Sequence, residues 1–197
     1  FLMDERVIDI PYVARVMLVK GIIVPFRSPK SAAKYKTIWT EYGSPLICIS
    51  RQVQQKLQEA TQKPVELCMR YANPKPSFAL DKLKRENPEL KEVALVPLYP
   101  HYAMSSYETA VDYVKQIHQK GKYPFRLKVV PPFYNHPQYI DALVTSIRPH
   151  LNKPFDHLLF SYHGIPKRHV LKTDTMSHCF SDNNCCSAPS KAHTTCY

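Results

Sequence analysis

The feature that most constrains this chain is an alternation of short, continuously apolar runs with longer segments whose apolar residues recur at helical spacing. The runs are Leu46 to Ser50, Val65 to Tyr71, Val93 to Tyr99, Arg126 to Phe133 and His157 to Gly164. Each has the length of a strand buried on both faces, and Gly or Pro stands close by to release the chain: Pro74 and Pro76, Pro131-Pro132, Gly164 and Pro166. Between them lie helical patterns. Ser28 caps and Pro29 opens one helix, Gln52 to Thr61 carries Val53, Leu57 and Ala60 on one side, Ser77 to Arg85 offers Phe78, Leu80 and Leu83, Ser105 or Ser106 caps a helix to about Gln119, and Pro137 to Leu151 is a further one. Before these, Arg6 to Phe26 reads as a helix and an apolar loop ended by Pro25.

Strands alternating with helices at intervals of about 25 to 35 residues imply βαβ units and an α/β fold with a parallel, Rossmann-type sheet covered by helices. A parallel sheet gathers its strand ends on one edge, where ligands bind in open α/β folds. Polar residues fall just past the apolar cores: Arg70-Tyr71, then Tyr99, His101 and Tyr102, then Ser161-Tyr162-His163. Taken alone, His163 could equally end a strand and hydrogen-bond its backbone. The coincidence of the three ends favours a site.

Composition narrows the partners. The chain has 197 residues, 44% hydrophobic and 22% charged, an ordinary globular composition. Four glycines form no phosphate-cradling loop, so nucleotide binding by that route is unsupported. Lys and Arg exceed Asp and Glu by 27 − 16 = 11, which favours anionic partners. The basic residues are spread out and accompany no zinc finger or RNA-binding motif, so nucleic acid is not expected as a partner. No apolar run approaches the ~20 residues that span a bilayer. No leader pattern is visible at Phe1-Leu2-Met3, and the expected location is the cytoplasm.

Six cysteines fall into two groups. Cys48 and Cys68 sit in apolar runs and read as small buried thiols. Cys179, Cys185, Cys186 and Cys196 crowd into a polar segment that has little power to form a core. Four soft ligands argue for a metal or an iron–sulfur cluster over disulfides in a cytoplasmic protein. The spacing is not that of paired Cys-x-x-Cys knuckles, which makes zinc on all four the second choice; His178 and His193 keep a mixed site open, and a plain loop with adventitious thiols is the bland alternative.

LLFSYHGIPKRH, LVPLYPHYAMSSYETA, FRSPKSAAKY, the Gly43-Ser44-Pro45-Leu46 turn and FYNHPQYIDAL together resemble the ferrochelatases, enzymes that insert ferrous iron into protoporphyrin IX. The resemblance runs from Phe1 to about Lys172. It implies a chelatase fold of two similar domains with a porphyrin cleft, of which residues 1–153 would be the first domain without its opening strand. Residues 154–197 would begin the second and carry the Cys-rich insertion. By the same comparison the chain is an amino-terminal portion, roughly half to two-thirds of the family's length, and the family's catalytic glutamate lies outside it.

Position by position, the resemblance makes His163 the catalytic residue, either a ligand to the incoming iron or the acceptor of pyrrole protons. An imidazole, which titrates near neutrality and also binds Fe²⁺, suits both tasks. Arg27, Tyr35 and Ser44 match positions that contact a porphyrin propionate or line the cleft, and a guanidinium with two hydroxyls suits a carboxylate. Arg70, Tyr71, Tyr99 and His101 match further substrate-binding positions. The four cysteines match an internal segment that holds a 2Fe-2S cluster in one bacterial class. Val13 to Phe26 matches an apolar lip that takes porphyrin from a membrane surface, a peripheral contact that a basic protein would reinforce on anionic lipid. A chelatase for another tetrapyrrole or metal, and a non-catalytic basic module that binds nucleic acid and uses its four cysteines for zinc, are the rival readings.

Overall fold

The computed structural model describes residues 1–152 and 154–196. They form an α/β structure in two compact units, Phe1–Ala94 with Thr109–Lys128, and Leu95–Glu108 with the chain from Val129 onward. A small open parallel sheet is made by β1 (Glu92–Leu95) and β2 (Arg126–Val129). Arg126 N donates to Lys91 O at 2.9 Å and Val130 N to Leu95 O at 2.9 Å, four residues on along both strands, which is the parallel register.

The first unit opens with one continuous helical run: α1 (Tyr12–Val16), a widened π-helical stretch (Met17–Ile23) and α2 (Val24–Lys36). Pro25 was expected to end the helix and Pro29 to open the next, but the run passes through both. Pro25 has no N–H, and its ring would press on the carbonyl four residues back at Gly21; widening the turns just before it re-registers those bonds, so the helix is spared. After an eight-residue connection come α3 (Pro45–Thr61) and α4 (Pro76–Glu86). Pro76, Ala79, Leu80 and Leu83 of α4 are buried, as are Val111 and Val114 of α5 (Thr109–Lys120), and these two helices pack against each other. Phe125 lies at 2% exposure just before β2, with its ring against those of His118 and Tyr123.

Three expected strands are absent among the described residues. Leu46 to Ser50 is the first turns of α3: Ser44 adopts the extended N-cap conformation, Pro45 supplies the first helical position, and the helical period of Val53 and Leu57 extends back through Ile49. Val65 to Tyr71 is irregular and half-buried, with Val65 O accepting from Gln54 Nε2 at 2.6 Å and Met69 N donating to Pro74 O at 2.8 Å, so local groups satisfy its backbone without a ladder. His157 to Gly164 has no regular structure and is exposed, Leu159 at 88%. Apolar content alone does not make a strand; a neighbouring strand must take its N–H and C=O groups.

The second unit carries a π-helical turn (Met104–Glu108), α6 (Pro137–Ile147) followed by a 3₁₀ turn (Arg148–Asn152), α7 (Lys167–Thr173) and a last 3₁₀ turn (Lys191–Thr194). Its small buried cluster is Val170, Cys179 and Ala192, with Ile165 packed against it.

Candidate functional site

In the first unit, Arg27 and Tyr35 stand two helical turns apart on the exposed face of α2. Ser44 follows at the N-cap of α3 without using its hydroxyl as a cap, which leaves that group available for other chemistry. The connection is shaped by Thr40 and Gly43, which exchange backbone bonds at 3.0 Å each way. Gly43 sits at φ 103°, where a side chain would strain the turn. Arg27, Tyr35 and Ser44 thus supply a cation and two hydroxyls on successive elements.

Arg70 and Tyr71 are drawn into a different constellation. Oδ2 of Asp4 accepts from Arg70 Nη2 at 2.6 Å, Thr109 Oγ1 at 2.5 Å and Tyr71 Oη at 3.3 Å, while Oδ1 accepts from the Arg6 amide at 3.0 Å. Arg70 Nε donates to Thr109 Oγ1 at 2.8 Å, and its guanidinium lies 4.5 Å and 4.6 Å from the ring centroids of Tyr71 and Tyr113. Burial alone would raise the Asp4 pKa, but the hydrogen bonds from Thr109, Arg6 and Arg70 and the charge of Arg70 outweigh it and hold the carboxyl below its usual value. Burial pushes the Tyr71 phenol up. Asp4 and Thr109 were not anticipated; a carboxylate 66 residues before its arginine leaves no local pattern to read.

In the second unit, Tyr99 is 39% exposed and His101 stacks on Tyr134, centroids 5.0 Å apart and planes 16° from parallel. Tyr102 donates to Glu108, and Tyr107 to Val130 O at 2.8 Å. His163 is exposed in the irregular segment before α7. Beyond it, Ile165, His169 and Val170 line a cavity of about 10 Å³ with Tyr102, Ala103 and Met104, room for a single water. His169, 4% exposed, was also missed, although its place beside Val170 on a short helix marks an inward-facing position.

The cysteines share one neighbourhood. Cys185 Sγ and Cys186 Sγ are 4.0 Å apart, and the Phe180 amide donates to Cys185 Sγ at 3.4 Å. Burial drives the Cys179 thiol up to about 11, helped by the negative charges of Asp174, Cys196 and Cys185; Cys186 is raised by its contact with Cys185, with a smaller push from Cys196. Thiols that hinder one another's ionisation are close enough for a cation to relieve them together. His178 and His193 meet edge to face at 5.5 Å, and both set Nε2 on Cys185 O, at 2.6 and 3.3 Å. A carbonyl only accepts, so those nitrogens carry the protons. Among the described residues no three His, Cys, Asp or Glu side chains stand together in a metal-holding arrangement, so a shared ion requires the thiols to turn inward. Four thiolates are the donor type that such an ion or cluster takes, but their arrangement here does not hold one.

The ferrochelatase family model matches residues 1–188. The chain is 43% identical over 199 residues to the ferrochelatase of Pseudomonas syringae pv. tomato, 44% over 200 residues to that of Pseudomonas fluorescens (strain Pf0-1) and 47% over 201 residues to that of Opitutus terrae. In each case the alignment covers 100% of this chain and 58% of the relative, so the chain spans little more than half the length of the curated relatives it matches. No solved structure matches it. On a match that runs through nearly every residue described above, the chain belongs to the ferrochelatase family.

Proposed function

We propose that the protein acts in haem biosynthesis as a lyase that inserts ferrous iron into protoporphyrin IX. The observation that carries this reading is the continuous likeness to proteins named ferrochelatase, at 43–47% identity in the three relatives above, with His163, Arg27, Tyr35 and Ser44 all present. Insertion exchanges two pyrrole N–H protons for one divalent ion. A neutral imidazole at His163 takes up one of those protons or holds the ion on its way in, and its exposure leaves it accessible to both. Arg27, Tyr35 and Ser44 bind a propionate, whereas Arg70 and Tyr71, taken up by Asp4, serve the fold. Fe²⁺ is a substrate here, not a resident cofactor.

Cys179, Cys185, Cys186 and Cys196 would hold a 2Fe-2S cluster, which supplies one-electron redox chemistry or structural bracing that the metallation itself does not need. The exposed apolar residues Tyr12, Val13, Met17, Ile22 and Phe26, interspersed with Lys20, Arg27 and Lys30, support peripheral contact with an anionic membrane surface of a cytoplasmic protein. Among the described residues, no helix is long and apolar enough to cross a membrane.

The test is anaerobic metallation by the full-length protein, followed by the porphyrin absorption spectrum, with His163→Ala beside the wild type and Co²⁺ beside Fe²⁺. The variant should bind protoporphyrin as the wild type does and lose about 100-fold or more in insertion rate, the usual weight of a proton-transfer group. Near-normal turnover would reject the role of His163, and a wild type that neither binds nor metallates porphyrin would reject the function.

A further inference from the structure

We infer that Asp174 is a positioning residue that shapes the cysteine segment, enclosing Cys179 while leaving Cys186 at the surface. Asp174 is the C-cap of α7, tied back by its own N–H to Val170 O at 3.0 Å, so its carboxylate is fixed relative to a packed helix. That carboxylate gathers the chain that follows. Oδ1 accepts from the Met176 amide at 3.0 Å and Oδ2 from the Cys179 amide at 2.6 Å. Charge-assisted bonds to backbone amides are the strong kind.

Their effect is to bend residues 174–180 into a closed turn whose backbone departs from the common regions, with Ser177 at φ 54° and Phe180 at φ 63°. A bulky residue such as Phe holds a left-handed φ only where its surroundings impose it. The turn lowers Cys179 into the cluster of Val170, Ala192 and Ile165, at 7% exposure. On the far side, His178 and His193 converge on Cys185 O. Cys186 is exposed, and Cys185 and Cys196 are half-buried. The four thiols are therefore graded from inside to outside by contacts within the protein itself.

The inference rests on the reading of the four cysteines as one site, but its test needs no metal. The full-length protein, reduced and freed of metal with a chelator, is pulsed with N-ethylmaleimide, and modification of each cysteine is followed by peptide mass spectrometry. In the wild type Cys179 should react at least about tenfold more slowly than Cys186, the protection expected of a thiol reached only by local opening. In Asp174→Ala the Cys179 rate should rise to within about threefold of Cys186, while Cys68 in the first unit, whose thiol is mostly enclosed, keeps its slow rate as an internal check on the fold. Asp182→Ala, which removes another carboxylate of the same segment, one that accepts from the Asn184 amide, should leave the gradient intact. Should Asp174→Ala also expose Cys68, Asp174→Asn decides: it keeps an oxygen acceptor and should accelerate Cys179 by a smaller factor with Cys68 unchanged. Equal rates for Cys179 and Cys186 in the wild type, or a Cys179 that stays slow in the variants, would overturn the inference. Iron and sulfide added to the same proteins separate it from the cluster reading, since a wild type that shows the gradient but gains no visible absorption defeats the cluster alone.

Discussion

Replacing Asp4 by Ala should destabilise the first unit more than a surface carboxylate ever does. The Asp4 side chain is 7% exposed and that of Arg70 21%, and one carboxylate oxygen serves three donors. Removing the acid strands the guanidinium between two tyrosine rings and leaves Thr109, 1% exposed, without that acceptor. Breaking a fully buried pair costs about 3–5 kcal/mol; the residual exposure of Arg70 lowers this to about 2–3 kcal/mol. In a unit of roughly a hundred residues that is a fall in Tm of about 8–12 °C. Asp4→Asn, which keeps the shape and one acceptor, should lose about half as much. The penalty should also depend on pH. Because the folded pKa of Asp4 lies below its unfolded value, the unfolded chain binds the proton first on acidification. The contribution is thus complete above roughly pH 5 and is lost as pH falls through the folded pKa, so wild type and Asp4→Ala should converge in acid. Urea denaturation followed by circular dichroism at pH 7 and pH 3 reads both effects. A variant within about 0.5 kcal/mol of wild type at neutral pH would mean that the pair behaves like a solvated surface ion pair, and the placement of Arg70 in the fold would be refuted.

Two further outcomes follow from the first unit. Tyr123 donates to Asp81 Oδ1 at 2.6 Å, and burial with that carboxylate pushes its phenol up to about 12; ultraviolet titration should show one tyrosine ionising near that value, absent in Tyr123→Phe. Since the folded value is raised, the stability it lends is complete below about pH 10 and lost as pH rises toward 12. Arg27→Ala should raise KM for protoporphyrin about tenfold with kcat and Tm nearly unchanged, whereas Arg70→Ala should lower Tm by several degrees, as measured by steady-state metallation beside thermal unfolding.

The α/β class was legible because Val93 to Leu95 and Arg126 to Val129 are β-rich, stop at nearby prolines and are separated by a strongly amphipathic helix, a pattern with one economical solution. Leu46 to Ser50 was misread because four consecutive apolar residues carry no period of their own. What decides such a run is its capping, and the Ser44-Pro45 pair that starts α3 was taken as a turn that ends one element when it begins another. Pro25 and Pro29 failed as stop signals for a related reason. Proline forbids particular backbone bonds, not helices as such, and a widened turn can reroute the bonds it removes.

Of the candidate residues, those defined by chemistry close in sequence were the readable ones. The crowding of Cys179, Cys185, Cys186 and Cys196 announces a shared neighbourhood before any fold is known, and their mutual effects on ionisation fit it. Arg70 shows the opposite case. Its neighbours in the chain suggest a cation waiting for a carboxylate, and it does hold one, but that carboxylate is Asp4, brought from 66 residues away by the packing of the first unit. With Nε and Nη2 both donating and two tyrosine rings against its guanidinium, Arg70 has little fork left for a bidentate partner, while Arg27 stands on an open helix face. Burial thereby separates one arginine that holds the fold from one that stands open to solvent. Pairings of that kind depend on long-range packing, which no window of local pattern contains.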